Sequence, residues 1–354
     1  MQTSTSASSP ISPSAAPADW RALPKILLHE HLDGGLRPAT LLELCRQQNV
    51  AVPADTADGL AAWLLANSNS GSLVRYLTGF GLTVAAMGSV EACERVAFEA
   101  AEDARTDGCV LAEFRMAPLL LEPYGLSGEA VIEALLAGLQ KSALPSGLIV
   151  CAMRTDAPEA TLKAAQLAAR YAGKGVVGFD LAGAERGFPP APHKAAIDAA
   201  RNAGLGITLH AGEADEGSRV LEAASLGATR IGHGVNIMRG PDAATQQAWV
   251  DEAKRLGLHF EVCPTSNVHT GISASIAEHP LREMVAAGLS VSVSTDNRLM
   301  SSVTMSGELA DVHQQAGITR AQLGRMMREA AQASFLPEAT RKAALAALAP
   351  WDVV

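Results

Sequence analysis

Eight short apolar runs recur along this chain, and most of them are followed by an alanine-rich segment with the pattern of a helix. Short runs rich in Val, Ile and Leu and flanked by Gly or Pro are typical of buried parallel strands. Several intervening segments end in glycine, the expected helix C-cap, just before the next run. The predicted strands are 25–32, 109–116, 148–153, 176–181, 206–210, 229–233, 258–263 and 289–295.

Eight strand-then-helix units favour an α/β fold of the (β/α)8 TIM-barrel type over an open doubly wound sheet. An open sheet would carry a glycine-rich phosphate loop after its first strand, whereas this first strand runs into Leu32-Asp33-Gly34-Gly35. Two segments exceed the basic barrel. Residues 37–108 are predicted to hold extra helices that wall or cover its mouth, and residues 307–348 to form a C-terminal helical tail.

Composition sets the domain organisation. The chain has 354 residues, of which 48% are hydrophobic, enough for a large core. We predict one domain over residues 19–354. Residues 1–18 carry no charge and consist mostly of Ser, Ala, Pro and Thr. We predict that they form a disordered tail, because they lack both the basic and the apolar region of a signal peptide.

Charge and cysteine content restrict the partners. The net charge is −9 and there is no run of Lys or Arg, so we expect no nucleic-acid and no membrane partner. No apolar stretch has the length of a transmembrane span. The five cysteines are scattered without a C-x-x-C motif, which is typical of a reducing compartment. We therefore predict a cytoplasmic protein; the sequence does not indicate its oligomeric state.

Polar residues at the predicted strand ends suggest a metal site. His29 and His31 are two apart on a strand and project to the same face, while Glu30 points away. His210 ends the fifth strand and Asp296 follows the eighth. The carboxyl ends of barrel strands meet at one face, and three histidines with one carboxylate suit Zn²⁺. We predict one Zn²⁺ per chain on these four ligands.

The other histidines are predicted to lie outside this site. Four of them fall in loops or helices and are expected to be solvated or capping residues, either at the surface or behind the residues that form the site. A fifth, His259, begins the seventh strand, at the opposite end of the barrel. The four are His193, His269, His279 and His313.

Six motifs between residues 23 and 301 resemble, in order, the signature segments of the adenosine deaminase family, within the adenosine/AMP deaminase branch of the amidohydrolase superfamily. They are LLHEHLDGG, DLAGAE, LHAGE, RIGHG, EVCPTSN and VSTDN. The resemblance implies zinc-dependent hydrolytic deamination of a small purine nucleoside. Adenosine would yield inosine and ammonia in purine salvage, and 2′-deoxyadenosine would be deaminated in the same way to 2′-deoxyinosine.

The resemblance also implies roles for individual residues. It makes Glu213 the acid at purine N1, and it places His233 against the attacking hydroxide. It implies that the backbone of Gly183 contacts purine N3 and that Asp33 contacts the ribose 5′-hydroxyl. Asp296 would serve as both ligand and proton acceptor.

Two positions depart from the family pattern. Asn297 stands where many members have an aspartate at purine N7. An amide donates a hydrogen bond at any pH, so the contact survives the change. Ala184 stands where an acidic residue is common. Both departures leave the substrate preference open.

Several alternatives can be weighed from the residues. Binuclear relatives carry a carboxylated lysine at the end of strand four, where this chain has Phe179-Asp180, so one metal is favoured. The H-x-E…P-C-x-x-C deaminase motifs are absent. No cationic cluster for a nucleotide phosphate lies near the motifs, which disfavours AMP as the substrate.

Adenine deaminases typically have Glu at the position of Asp33, so Asp33 favours a nucleoside over the free base. Deamination of adenine, or of a modified adenosine such as aminodeoxyfutalosine, stays open, as does a binding protein without turnover.

Overall fold

The computed structural model describes residues 18–352. Within this range the chain forms eight parallel strands, each within two residues of its predicted bounds. Residues 1–17 of the predicted tail lie outside the described residues, and Ala18 begins the first helix. The strands are β1 (Lys25–His31), β2 (Cys109–Met116), β3 (Ser146–Met153), β4 (Val176–Ala182), β5 (Gly206–Ala211), β6 (Arg230–His233), β7 (His259–Val262) and β8 (Ser290–Val293).

The strands form the predicted barrel. Each strand pairs with the next along the chain, in the order β1 to β8. The ring closes just beyond β8, where the Asp296 N–H donates to the His29 carbonyl at 2.9 Å and the His31 N–H donates to the Asp296 carbonyl at 2.8 Å. Asp296 is thereby fixed to the end of β1 by its own backbone.

Helices surround the barrel. Several begin at a Ser, Thr or Asp whose side chain accepts a hydrogen bond from the third helical residue, the usual N-cap arrangement. The helices are α1 (Ala18–Ala22), α2 (Pro38–Gln47), α3 (Ala57–Ser68), α4 (Leu73–Tyr76), α5 (Phe80–Ala86), α6 (Val90–Thr106), α7 (Gly128–Lys141), α8 (Pro158–Arg170), α9 (Lys194–Asn202), α10 (Ser218–Ser225), α11 (Ala243–Arg255), α12 (Pro264–His269), α13 (Leu281–Ala286), α14 (Arg298–Ser301), α15 (Met305–Gln315), α16 (Arg320–Ala333) and α17 (Glu338–Ala347).

The two predicted additions are both present. The segment between β1 and β2 folds into α2 to α6, and residues of α4 and α5 line the cavity at the barrel mouth. The C-terminal segment forms α15 to α17, of which α16 packs against β1, β7 and β8. No helix among residues 18–352 is long and apolar enough to cross a membrane.

A network of buried charges crosses the inside of the barrel. Arg115 of β2 donates to Asp180 of β4 at 2.8 Å and to Glu261 of β7 at 2.6 Å. Arg230 of β6 donates to Glu261 at 2.6 Å and to Glu113 of β2 at 2.5 Å. Buried charges are tolerated only when they are paired and hydrogen-bonded, as these are. The other contacts of Asp180 and Glu261 are with His210 and His29, at the carboxyl ends of β5 and β1.

Candidate active site

The four predicted metal ligands meet at the carboxyl end of the barrel. One donor atom from each of His29, His31, His210 and Asp296 can be chosen so that all four lie within 4.8 Å of one another. Asp296 Oδ1 lies 3.4 Å from His29 Nε2 and 3.6 Å from His31 Nε2. Glu30, on the other face of β1, instead pairs with Arg298 at 2.6 Å and accepts from Thr295 at 2.8 Å, away from the cluster.

The barrel network orients two of these imidazoles. Glu261 Oε2 accepts from His29 Nδ1 at 2.9 Å, and Asp180 Oδ2 lies 2.9 Å from His210 Nδ1. Burial alone would raise the pKa of Glu261, but the guanidiniums of Arg115 and Arg230 hold it well below its usual range. An ionised carboxylate fixes the proton on Nδ1 and leaves the Nε2 lone pair for a metal, a common arrangement around zinc-bound histidines.

The donor set fits a divalent cation such as Zn²⁺. His31 Nε2 and His210 Nε2 lie 3.4 Å apart, and His29 Nε2 is buried without a hydrogen-bond partner. Lone pairs converging at this distance are stabilised by a cation between them, and three imidazoles with one carboxylate are typical of zinc. The ligand atoms of a second group, formed by His29, His233 and Cys263, also lie within 4.8 Å of one another and could in principle hold a metal ion. Burial raises the pKa of the Cys263 thiol, which disfavours the thiolate that a metal needs.

Glu213 lies on a tightly held turn after β5. Glu185 accepts from four consecutive backbone N–H groups, those of residues 212–215. Asn236 donates to the Glu213 carbonyl at 2.7 Å. The Glu213 carboxyl is buried in the cavity wall, and burial, with a smaller effect of Asp296, raises its pKa well above the usual range. A carboxyl in this setting stays protonated at neutral pH and can act as an acid.

His233 and Asp296 face each other across the cluster in strained backbone conformations. Their φ angles are 61° and 59°, in the left-handed region that non-glycine residues rarely adopt. Such strain costs of order 1–3 kcal/mol and is concentrated at functional sites. His233 Nε2 lies 3.8 Å from Glu213 Oε2 and 3.9 Å from Asp296 Oδ2, which also accepts from Ser266 Oγ at 2.6 Å.

The predicted substrate contacts lie on the opposite side of the cavity. Asp33 and Asn297 are buried, and each has a side-chain oxygen, Oδ1, without a hydrogen-bond partner. Burial raises the pKa of Asp33 to about 7. Gly183 borders the cavity with a φ of 97°, which favours glycine. A side chain at Gly34 would collide with Asn297, since a Cβ there would lie 1.9 Å from Oδ1.

The cavity has a volume of about 400 Å³. Its floor is the polar cluster, and its wall includes Leu73, Leu77 and Phe80 from the segment between β1 and β2. No Lys or Arg occurs among the described residues that line it. The cavity therefore combines acidic and imidazole groups with an apolar wall.

The prediction for the remaining histidines is wrong in part. His193, His269 and His279 are buried rather than solvated. Their side chains pack against neighbouring elements: His193 Nδ1 lies 3.0 Å from Thr161 Oγ1 of α8, and His279 lies against α12. His279 also contacts the site indirectly, because its Nε2 lies 3.1 Å from Asn267 Oδ1 and the Asn267 amide contacts His233 Nδ1 at 3.0 Å. His259, at the far end of β7, is bonded to Ser290 and Ser292.

Four groups that hold the site were not predicted from the sequence: Arg115, Glu261, Glu185 and Asn267. A signal was available for the last three, because Glu185 stands inside the motif DLAGAE and both Glu261 and Asn267 stand inside EVCPTSN. Arg115 lies within β2, outside the motifs, and its role is recognised only once the strands are paired.

Comparisons with known proteins agree with this geometry. The profile of the adenosine deaminase family matches residues 24–351. The adenosine deaminase of Mycobacterium sp. (strain JLS) is 44% identical over 332 residues, which cover 89% of this chain and 91% of the relative. The chain belongs to the adenosine deaminase family. This family member is accordingly an enzyme, a hydrolytic deaminase.

Solved structures of two other proteins share its fold. An amidohydrolase from Burkholderia ambifaria with bound Zn superposes with a TM-score of 0.84 at 23% identity, covering 95% of this chain and 92% of that one. The adenine deaminase of Arthrobacter aurescens gives a TM-score of 0.82 at 23% identity, covering 94% and 100%. At these identities the likeness shows the fold alone.

Proposed function

We propose that this enzyme hydrolyses adenosine to inosine and ammonia, and 2′-deoxyadenosine to 2′-deoxyinosine and ammonia, in purine salvage, with one Zn²⁺ per chain. The observation that carries the proposal is the position of Glu213. It is a buried carboxyl with a raised pKa, in one cavity with a cluster of three histidines and one aspartate. An acid beside a metal-type cluster is what the deamination of an aromatic amidine needs.

His29, His31, His210 and Asp296 would hold the metal. Zn²⁺ in such a site lowers the pKa of its bound water towards about 7 and so makes hydroxide available at neutral pH. The zinc in the related Burkholderia structure supports this choice of metal.

Glu213 makes the purine ring receptive to attack. C6 of an aromatic ring accepts a nucleophile poorly, and protonation of N1 withdraws electron density as the C–O bond forms. The raised pKa of Glu213 keeps the required proton on its carboxyl until the ring is bound. The N1 position of the product retains that proton.

Asp296 and His233 would act on the attacking water, Asp296 as the acceptor of its proton. Addition of water to C6 releases one proton, which Asp296 accepts and passes to the departing amino group. His233 lies next to this path, 3.9 Å from Asp296 Oδ2. The C6–N bond then breaks and ammonia leaves, while the hydroxyl proton of the adduct returns to Glu213 as the C6 carbonyl forms. Inosine remains, and one water is consumed for each ammonia released.

The opposite side of the cavity would recognise the nucleoside. Asp33 would bind the ribose 5′-hydroxyl, the backbone of Gly183 purine N3, and the Asn297 amide N7. The unpartnered Asp33 Oδ1 supports its part of this assignment, because buried polar groups in native proteins are usually paired and a ribose hydroxyl can donate to it. Asn297 would bind N7 through its NH₂ group, since N7 can only accept. The absence of Lys and Arg from the described lining favours a nucleoside over a nucleotide.

A modified adenosine is a second candidate. The apolar wall of Leu73, Leu77 and Phe80 could bury a side chain at the 5′ end or on the base. Adenosine would then be a poor substrate and aminodeoxyfutalosine, or a similar compound, a good one.

The test is a spectrophotometric comparison of five substrates with metal analysis of the same preparation. We expect the highest kcat/KM for adenosine and 2′-deoxyadenosine, much lower values for adenine and AMP, and one zinc per chain. A clear preference for adenine or aminodeoxyfutalosine would overturn the substrate assignment. Two metals per chain, or full activity without metal, would overturn the mononuclear mechanism.

A further inference from the structure

A row of buried hydrogen bonds leads from the start of α13 to the site. The backbone N–H of Leu281 donates to His279 Nδ1 at 3.0 Å. His279 Nε2 lies 3.1 Å from Asn267 Oδ1, and Asn267 Nδ2 lies 3.0 Å from His233 Nδ1. His279, Asn267 and His233 have exposed fractions of 3%, 0% and 1%. With water kept away, each group must satisfy its neighbour in the row.

The direction of every bond in this row is fixed by its first member. A backbone N–H can only donate, so His279 Nδ1 must accept. A neutral imidazole has one N–H, and burial lowers the pKa of His279 to about 3, so its proton lies on Nε2 and is donated to Asn267 Oδ1. The NH₂ end of Asn267 therefore faces His233. Because this amide donates to Nδ1, the proton of the neutral His233 ring lies on Nε2, the nitrogen that faces the cavity.

The same amide group also reaches the catalytic acid. Asn267 Nδ2 lies 3.5 Å from Glu213 Oε1, within the limit of a hydrogen bond. An NH₂ group has two protons, one for His233 and one for Glu213. A carboxylic acid that accepts through Oε1 carries its own proton on Oε2.

We propose that Asn267 and His279 are positioning residues that fix the proton of His233 on Nε2 and the acid proton of Glu213 on Oε2. Neither residue borders the cavity. Their effect passes through the two side chains that do. His233 then donates a hydrogen bond to the attacking oxygen and does not accept its proton, which leaves Asp296 as the acceptor. This last step rests on the proposed function; the proton positions themselves do not.

The direct readout is the ¹⁵N spectrum of the histidine rings. The enzyme contains nine histidines, and the His233 signals are identified by their loss in His233→Gln. We expect a neutral His233 with a protonated Nε2 and an unprotonated Nδ1, in both the metal-free and the zinc-loaded enzyme. A proton on Nδ1 would overturn the proposal, even if the enzyme deaminates adenosine.

Three substitutions test the chain of bonds. Asn267→Asp has the same shape but cannot donate, so the His233 proton should move to Nδ1 and kcat should fall roughly 10²–10⁴-fold, as expected for a wrong tautomer, with little change in KM. His279→Gln can still accept from Leu281 and donate to Asn267, and should retain the tautomer and most of the activity. His279→Leu can neither accept from Leu281 nor donate to Asn267, and should lose both the His233 tautomer and most of the activity. His259→Gln, which alters a buried histidine at the far end of β7, is the matched control.

The outcomes separate this proposal from the proposed function. An unchanged tautomer in Asn267→Asp, or equal activities for His279→Gln and His279→Leu, would overturn the positioning role. The expected tautomer in an enzyme that ignores adenosine would contradict the proposed function alone. If Asn267→Asp fails to fold, as judged by circular dichroism, the spectrum of the unaltered enzyme still decides the position of the proton.

Discussion

The two sides of the cavity differ in how their polar groups are satisfied. On the metal side, the Nδ1 atoms of His29, His210 and His233 all have buried partners within 3.0 Å. On the substrate side, Asp33 and Asn297 each bury an oxygen that has no partner. On the first side the ring nitrogens that point away from the cavity are paired within the protein, while His29 Nε2 is open towards the proposed metal. On the second side the open atoms belong to the groups that we propose bind substrate.

The difference separates chemistry from recognition. Groups that are held in place before substrate arrives need no reorganisation as charge develops, which is the main electrostatic advantage of an enzyme site. Buried polar groups without partners destabilise the free protein, and a ligand that pairs with them is selected over one that does not. Changes on the metal side should therefore affect turnover and metal binding, and changes on the substrate side the choice of substrate.

The largest effect is expected for Glu213→Gln. The amide cannot protonate N1, so kcat should fall ~10³–10⁴-fold while zinc content stays unchanged. Stopped assays for inosine, with metal analysis, measure both quantities. Retained turnover would remove Glu213 from its role as acid.

The raised pKa of Glu213 also predicts a pH dependence. The acid form is present below this pKa and is lost above it, so kcat/KM should decline as the pH rises through the raised value. A pH profile of adenosine deamination measures the decline. A profile that falls only at the pKa of an ordinary glutamate, near 4, would contradict the account.

Arg115→Met tests the network beneath the metal side. The change leaves Asp180 and Glu261 as buried carboxylates without their shared cation, and should lower the free energy of unfolding by about 3–5 kcal/mol. Urea unfolding measures this loss. Arg255→Ala, which removes an exposed ion pair with Glu252, is the control and should leave the stability nearly unchanged, because exposed ion pairs are screened by water. Equal effects would mean that the buried network does not stabilise the barrel.

Asp180→Asn tests the orientation of a metal ligand. Loss of the carboxylate that holds His210 should weaken zinc binding by about 10–100-fold, as is typical for groups behind metal ligands. Competition with a chelator gives the affinity. Asp251→Asn, on the exposed side of α11, should leave the affinity unchanged. An unaltered affinity in Asp180→Asn would show that His210 needs no such partner.

The smallest effect is expected on the substrate side. Asp33→Ala would remove the proposed hydrogen bond to the sugar and should lower kcat/KM for adenosine by about 10–100-fold, the range for a bond to a charged group. Binding of adenine, measured as competitive inhibition, should change little because adenine has no ribose. Equal losses for both compounds would mean that Asp33 does not contact the sugar.

The barrel and the ligand cluster could be read from the sequence because both follow from local patterns. Apolar runs with glycine-ended helices give the strands, and polar residues at strand ends must meet at one face of a barrel. His29, His31, His210 and Asp296 could therefore be grouped although they are far apart in the chain. No local sequence pattern predicted the strained φ of Asp296 or the backbone hydrogen bonds that join it to β1.

The supporting groups depend on pairings that a single sequence does not contain. Arg115, Asp180 and Glu261 lie on three different strands, and only the register of the closed barrel brings them together. His279 looked like a surface histidine because its segment is a loop before a short helix. Its burial follows from the way that loop packs against α12.

The most direct test of the contrast between the two sides is a crystal structure of the zinc-loaded enzyme with inosine, compared with the zinc-loaded enzyme alone. We predict that the side chains of His29, His31, His210, Glu213 and His233 shift by less than about 0.5 Å between the two, as in a preorganised site. Asp33 should bond to the 5′-hydroxyl and Asn297 to N7 of the base. Inosine bound with its ribose away from Asp33, or a rearranged metal side, would contradict the account.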